Sequence, residues 1–442
     1  MKEKPTIQRI FKPITKFTKI EASGGIVLFA VTIIALIWAN SFLSEYYTKI
    51  WDSTFSITFN NFEFKKTLLH FINDGLMVIF FFVVGLEIKR ELLIGELSKI
   101  KQAMVPVIAA LGGMVIPAAI FMIFNHGTPT ERGWGIPVAT DIAFSLGVLS
   151  LLGKKIPISF KIFLTAFAII DDIGAVLVIA IFYTANLNLL YLGIGLILLL
   201  ILLILNLLKV NKAYIYILIG LVIWFVFLKS GVHTTIAGVL TAFVIPTKAR
   251  IKLSDFKSRC QNTMNEIDSI ENEHGDSTSI NTLNSCINEI KTNSSNVLSP
   301  AHMLEYKLHP YVAFLILPLF ALSNTGLVIN SELISNFDYR LFWGIFLGLV
   351  IGKSFGITFF IFLSNKLKIT KLPEGLKMSH LLGLAFLGGI GFTMSLFISS
   401  LAFSEPIFLD TSKASILAAS LVSGISGYTI LYFLTRKTKR TI

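Results

Sequence analysis

Charge is scarce in this sequence: Asp, Glu, Lys and Arg make up 14% of 442 residues, where a soluble domain carries about 25%. With 54% hydrophobic residues and a mean hydropathy of +0.76, too few polar side chains remain to cover a water-facing surface. A soluble enzyme is thereby excluded. Cysteine is scarcer still. Cys260 and Cys286 lie in one polar stretch without metal-ligand spacing, so neither a disulfide framework nor a zinc site is on offer. A cleavable leader is not expected either. The basic residues 1–22 run into the apolar segment Gly24 to Ala39 with no small-residue cleavage site behind it, which reads as an uncleaved first span.

What the chain has is apolar length. A helix crossing the hydrocarbon core needs about 20 mostly apolar residues, and the Phe, Leu, Ile and Val runs supply about twelve such segments. They fall near residues 23–40, 68–86, 104–124, 133–152, 158–183, 188–208, 213–228, 231–246, 309–326, 340–362, 379–401 and 411–434. The expected fold is an all-α polytopic membrane protein of twelve transmembrane helices. A peripheral enzyme with one anchor is excluded.

Twelve crossings put both termini on one side. Of the 38 Lys and Arg residues, 30 fall on the side of the termini and 7 on the other, so the termini are expected to be cytoplasmic. The net charge of +12 is thereby topological, and no nucleic-acid partner is needed to explain it; the bilayer is the expected surrounding. The remaining cation is Lys353. It lies 13 residues after Arg340 and 12 before Asn365, about 20 Å from either edge of its span, beyond the reach of a snorkelling side chain.

Two stretches stand outside the bundle. In residues 45–66, Phe55, Ile57 and Phe59 alternate with polar residues before Asn60-Asn61, then Phe62 and Phe64. This reads as a short external β-hairpin, with an ordinary loop as the alternative. A lone hairpin is marginal in water, so it calls for a partner such as a second copy of the chain. Residues 254–301 hold seven acids against Lys257, Arg259 and Lys291. Phe256, Cys260, Met264 and Ile267 follow helical spacing, as do Ile280, Leu283, Ile287 and Ile290, which predicts two amphipathic helices covering each other's apolar stripes. The domain plan is an N-terminus of 1–22, spans over 23–247 and 309–434, a cytoplasmic insert of 248–308 and a tail of 435–442.

The chemistry is expected where lipid should be. An ionisable residue at mid-bilayer costs roughly 2.5 to 3.5 kcal/mol even on the gentler insertion scale, and Asp141, Asp171, Asp172 and Lys353 all sit deep in their spans. Unpaired and facing lipid, they would cost on the order of 10 kcal/mol, so they must meet inside the bundle. Consecutive aspartates on a helix point about 100° apart, so Asp171 and Asp172 can border one cavity with different neighbours. Two nearby anions in a low dielectric cannot both ionise cheaply, and the pair titrates as one coupled unit. A carboxylate that holds either a proton or a hard cation is what an ion exchanger needs, and Thr140 offers a hydroxyl and a carbonyl beside Asp141. A structural ion pair with a helix-capping Asp is the plainer alternative. Gly133, Gly135 and Pro137 before Thr140-Asp141, and Gly388-Gly389-Ile390-Gly391 in the eleventh span, predict two helices broken in mid-membrane, whose ends an Asp and a Lys would neutralise.

These stretches resemble the NhaA-type bacterial sodium/proton antiporters: NDGLMVIFFFVVGLEIKRELLIGEL from Asn73, GIPVATDIAFSLGVLSLLG from Gly135, FAIIDDIGAV from Phe167, LKSGVHTTIAGV from Leu228, LHPYVAFLILPLFALSNTG from Leu308, IGKSFGI from Ile351 and GIGFTMSLFI from Gly389. The resemblance implies inverted repeats with helices 4 and 11 discontinuous. It also implies electrogenic exchange of sodium or lithium for protons across a bacterial inner membrane, with no cofactor beyond the transported ions. By motif match Asp172 is the principal sodium ligand and proton carrier, Asp171 its partner paired with Lys353, and Thr140 and Asp141 the unwound-segment residues. Glu87, Glu91, His233, Glu305 and Asp74 are similar to positions tied to pH response in that family; as residues, Glu87 and Glu91 read as members of a solvated loop. The 45–66 hairpin resembles the family's dimerisation element, whereas the 254–301 insert departs from its usual shorter loop. A sodium-coupled organic solute symporter is the rival reading. An intramembrane aspartyl protease would need two aspartates from separate facing helices, and a channel needs no proton-titrating centre.

Overall fold

In a computed structural model the chain is described from residue 23 to 438, apart from 60–61, 154–155, 185–186, 250, 252, 275–279 and 373–374. The expected N-terminus of 1–22, the Asn60-Asn61 turn, the centre of the insert and the last residues of the tail lie outside the described residues. The rest is dominated by apolar helices. Eight are long and apolar enough to cross a membrane: Leu68–Leu93, Ile100–Asn125, Ile158–Phe182, Leu189–Leu207, Ala213–Ser230, Pro300–Asn324, Tyr339–Lys366 and Pro406–Arg436. Ser23–Ala39 adds a helix of 17 residues. Two further stretches are broken: Pro129–Val138 with Ile142–Leu151, bent by 44°, and Met378–Gly388 with Phe392–Ala402, bent by 45°. The protein is a multi-pass, all-helical membrane protein in its spanning part.

Local sequence accounts for these interruptions. Pro137 cannot donate a backbone N–H, and Gly388, Gly389 and Gly391 hold helix weakly, so both helices part where freed backbone groups can face one another. Three long helices contain a π-helical turn, at Phe71–Leu76, Val312–Ile316 and Gly348–Gly352. Such turns re-aim the residues beside them, and the third ends immediately before Lys353. Close packing uses glycine where backbones meet. Gly112 and Gly356 face each other's carbonyl oxygens, and a β-carbon on either would collide, which brings the 100–125 and 353–366 helices together.

The eleven-residue helix Thr234–Val244 is about 16 Å long, short for a crossing, so its last carbonyls end inside the protein. They are met by side chains. Lys89 Nζ donates to the Phe243 and Ile245 oxygens at 2.6 and 2.5 Å, and Asn206 Nδ2 to Val244 O at 2.5 Å. At its other end Thr234 Oγ1 and Trp224 Nε1 both donate to Asp74 O, at 3.3 and 3.2 Å.

Strands Thr54–Phe59 and Phe62–Thr67 pair antiparallel, Phe55 opposite Lys66 and Ile57 opposite Phe64. Helices Leu253–His274 and Ile280–Val297 form the polar insert. Their expected seam is displaced. Met264, Leu283 and Ile287 are exposed, whereas Thr263, Cys286 and Asn293 are buried, and Arg259 donates to Asn293 Oδ1 at 3.4 Å. On helices with so few apolar residues, small and amide side chains fit the close approach better than the longer apolar ones.

Candidate ion-translocation site

The site forms where the two broken helices cross. Thr140 and Asp141 occupy the gap between the first pair of half-helices, Gly389 to Gly391 the gap in the second, and freed backbone groups are satisfied across the crossing. The Asp141 N–H donates to Ile390 O at 2.7 Å, the Thr140 hydroxyl to Gly388 O at 2.7 Å and the Ser145 hydroxyl to Leu387 O at 2.8 Å. From the other side the Ser395 hydroxyl donates to Ile136 O at 2.7 Å. Backbone irregularity at this depth is sustainable only when every freed group finds such a partner.

Asp141 serves two helix starts at once. Its Oδ1 accepts from the Phe144 N–H at 2.9 Å, capping Ile142–Leu151, and its Oδ2 accepts from the Thr393 N–H at 3.0 Å and hydroxyl at 2.5 Å, at the start of Phe392–Ala402. Two positive helix ends therefore converge on one buried carboxyl group. Lys353, fully buried, donates to Asp171 Oδ2 at 2.6 Å and to the Thr140 hydroxyl oxygen at 2.7 Å, and its ammonium lies 5.6 Å from the Phe167 ring centroid. Thr140 thus accepts from the lysine while donating to Gly388, which links the cation to a helix C-terminus.

Asp171 and Asp172 part company here. Both are buried on Ile158–Phe182, and the Oδ1 of each has no hydrogen-bond partner among the described residues, but Asp171 turns its Oδ2 to Lys353 while Asp172 faces a cavity of about 620 Å³. Asp141 and Thr393 line the same cavity. So do Glu87 and His309, whose exposed ring marks the cavity's route to the surface.

Glu87, Glu91 and Glu305 gather at that mouth, which corrects their sequence-based assignment. Glu87 and Glu91 belong to the helix Met77–Leu93 rather than to a loop, and Glu305 to Pro300–Tyr311. The alternation of charge in LEIKREL resembles a solvated connector. In the structure those charges meet one another: Arg90 pairs with Glu305 and, at 2.9 Å, with Glu91, and His309 Nε2 stands 3.9 Å from Glu87. Asp74 and His233 sit together at the far end of the same helix, 13 positions and about 20 Å from Glu87. His233 Nε2 is 4.0 Å from Asp74 Oδ1, its Nδ1 accepts the Thr235 N–H at 3.4 Å, and its ring lies edge-on to Phe397 at 5.4 Å. The expected pH-response residues therefore form two clusters at opposite ends.

Sequence reasoning missed Thr393, Ser145, Ser395, Arg90 and His309. The hydroxyl residues look like ordinary small residues of packed helices; the available signal was that Thr393 follows GGIGF at the break.

Comparison with known proteins places this geometry in context. The family model for Na+/H+ antiporter 1 matches residues 15–431. A Na(+)/H(+) antiporter NhaA of Oleidesulfovibrio alaskensis is 44% identical over 441 residues, covering 97% of this chain and 96% of the relative. The NhaA of Koribacter versatilis is 45% identical over 426 residues (96% and 92%), and that of Acidithiobacillus ferrooxidans 46% over 432 residues (97% and 99%). Two mid-membrane helix breaks, a buried lysine–aspartate pair and a carboxyl group beside a cavity thus sit in a chain matched along nearly its whole length, and that chain belongs to the Na+/H+ antiporter 1 family.

Proposed function

We propose that the protein exchanges sodium or lithium for protons across a bacterial inner membrane, by competition of the two for Asp172 and its neighbours. The single observation that carries the reading is the contrast on one helix turn: Asp171 is held by Lys353 at 2.6 Å, whereas Asp172 lines the cavity with no ion pair among the described residues. Hard cations prefer oxygen ligands, and Asp172 offers carboxylate oxygen at the cavity with Asp141 close by. Asp171 and Thr140 join the ligand set if an incoming ion displaces Lys353, whose ammonium holds both. Loading of sodium and release of a proton are then alternatives at the same oxygens.

Twelve crossings follow if Ser23–Ala39, the two broken pairs and Thr234–Val244 each count as one, beside the eight long helices. Breaks in the fourth and eleventh support inverted repeats with the site at their interface. An even count with the Lys/Arg bias puts both termini in the cytoplasm, so the cavity mouth at Glu87 and His309 faces inward and the site is open to cytoplasmic sodium. Glu87, Glu91 and Glu305 there, and Asp74 and His233 at the outer end, are suited to a pH response. The hairpin of Thr54–Phe59 and Phe62–Thr67 is a two-stranded sheet with an exposed Phe55, a form stabilised by pairing with a second copy.

The test is sodium-driven proton movement in everted vesicles under a preformed pH gradient, with no organic solute present. Added sodium or lithium collapses the gradient, and a membrane potential alters the rate because more than one proton moves per ion. A requirement for an organic solute would transfer the chain to the symporter reading.

A further inference from the structure

One partner at the crossing comes from neither broken helix. The Phe392 N–H, the first of the half-helix Phe392–Ala402, donates to Ser420 Oγ at 3.2 Å, and Ser420 belongs to Pro406–Thr438, the last helix of the chain. One turn further along, Ser423 is fully buried and its hydroxyl has no partner among the described residues. It lies against the other end of the same break: a β-carbon placed on Gly389 would stand 2.9 Å from Ser423 Oγ. Two serines three positions apart share a helix face, so a single continuous helix presents hydroxyls to both ends of the 389–391 gap.

We propose that Ser420 and Ser423 are positioning residues for antiport: Ser420 fixes the start of the half-helix that carries Thr393, and Ser423 is the reserve partner onto which the freed 389–391 backbone re-pairs when the crossing changes shape. Phe392 is adjacent to Thr393, whose N–H and hydroxyl both donate to Asp141 Oδ2, so a slip at Phe392 reaches the carboxyl group at the cavity. The buried Ser423 hydroxyl, costly while unpaired, becomes satisfied in a second arrangement of the gap. The inference rests on the antiport reading of the Asp141 and Asp172 site.

The test compares Ser420→Ala, Ser420→Thr and Ser423→Ala with the native protein in everted vesicles, measuring apparent KM for sodium, maximal rate and pH profile, alongside thermal stability in detergent. Ser420→Ala is expected to raise the sodium KM about three- to tenfold, as loss of a cap does, and to shift the pH profile, while Ser420→Thr restores both. Ser423→Ala is expected to lower the maximal rate with KM unchanged. Native KM and pH profile in a folded Ser420→Ala, or a full maximal rate in Ser423→Ala, would overturn the corresponding half of the proposal. A Ser420→Ala that is too unstable to assay leaves the decision to Ser420→Thr: a native profile supports hydroxyl positioning, and an altered one overturns it. Asp141→Asn in the same vesicles separates the two readings, since a native KM there would remove the site reading itself rather than the role of the serines.

Discussion

The crossing and the cavity beside it use the same kinds of residue under opposite rules. At the crossing, charge and freed backbone are met by short partners: Lys353 by Asp171 and Thr140, Asp141 by three donors, Gly388 and Ile390 by groups of the other break. Along the cavity, Asp172 keeps an unpartnered oxygen and Glu87 has His309 only at 3.9 Å. A network closed by a cation and by donors from the facing helix holds a shape, whereas a carboxyl group left without a cation beside a cavity holds capacity for a ligand. The difference teaches that neighbouring carboxyl groups divide frame from function by what their neighbours donate, and it can be attacked from either side.

The largest effect is expected on the cavity side. Asp172→Asn should abolish sodium-dependent proton movement while the protein inserts and melts near the native temperature, because an amide carries no exchangeable proton of this kind and is a poorer ligand for a hard cation. Exchange near the native rate would refute the assignment. On the frame side, Lys353→Ala leaves Asp171 buried without its cation, a change that costs about 3–5 kcal/mol in comparable pairs. A thermal-shift assay in detergent should place it well below the native protein, with Lys353→Arg between the two. Equal stability of all three would mean that the pair frames nothing.

These two residues were also the most legible in the sequence. A charge in the middle of an apolar run has one physical reading, burial against a partner, so Asp141, Asp171, Asp172 and Lys353 could be named with the glycine breaks that let them meet. The spans themselves followed from apolar length. What sequence did not show was the partner set: Ser145 and Ser395 carry no signal beyond smallness, Thr393 only its place after the glycine break, and their part depends on a crossing between segments some 250 positions apart. Glu87 and Glu91 misled for the converse reason, since a charged helix end that pairs with itself has the composition of a loop. In the insert, the apolar pattern gave helices and part of the seam, with Phe256, Cys260, Ile267 and Ile290 half-buried but Met264, Leu283 and Ile287 exposed.

Smaller effects should sharpen the comparison. Glu87→Gln is expected to raise the sodium KM about threefold at alkaline pH through lost attraction along the cavity. The sign with pH follows from titration: as pH falls, the native Glu87 takes up a proton and becomes neutral like the amide, so variant and native KM values converge. A gap that widened toward acid pH would contradict this. The smallest effect is expected outside both regions. Removing residues 256–298 and closing the gap with a short Gly/Ser linker should preserve exchange at saturating sodium, with at most a shift in the pH at which it turns on. An inactive yet inserted and folded truncation would make the insert part of the transport machinery.

The short helix Thr234–Val244 has a consequence of its own. Lys89 holds its end through the backbone oxygens of Phe243 and Ile245, while its neighbour Arg90 is tied to the carboxylates of Glu91 and Glu305. Two consecutive residues thus tie the Met77–Leu93 helix to two different neighbours. With Thr234 and Trp224 fastened to Asp74 at the opposite end, the two helices are bolted together at both extremities like a strut. Loss of the Arg90 contacts would therefore free the Glu305 helix from this strut without dismantling the strut itself.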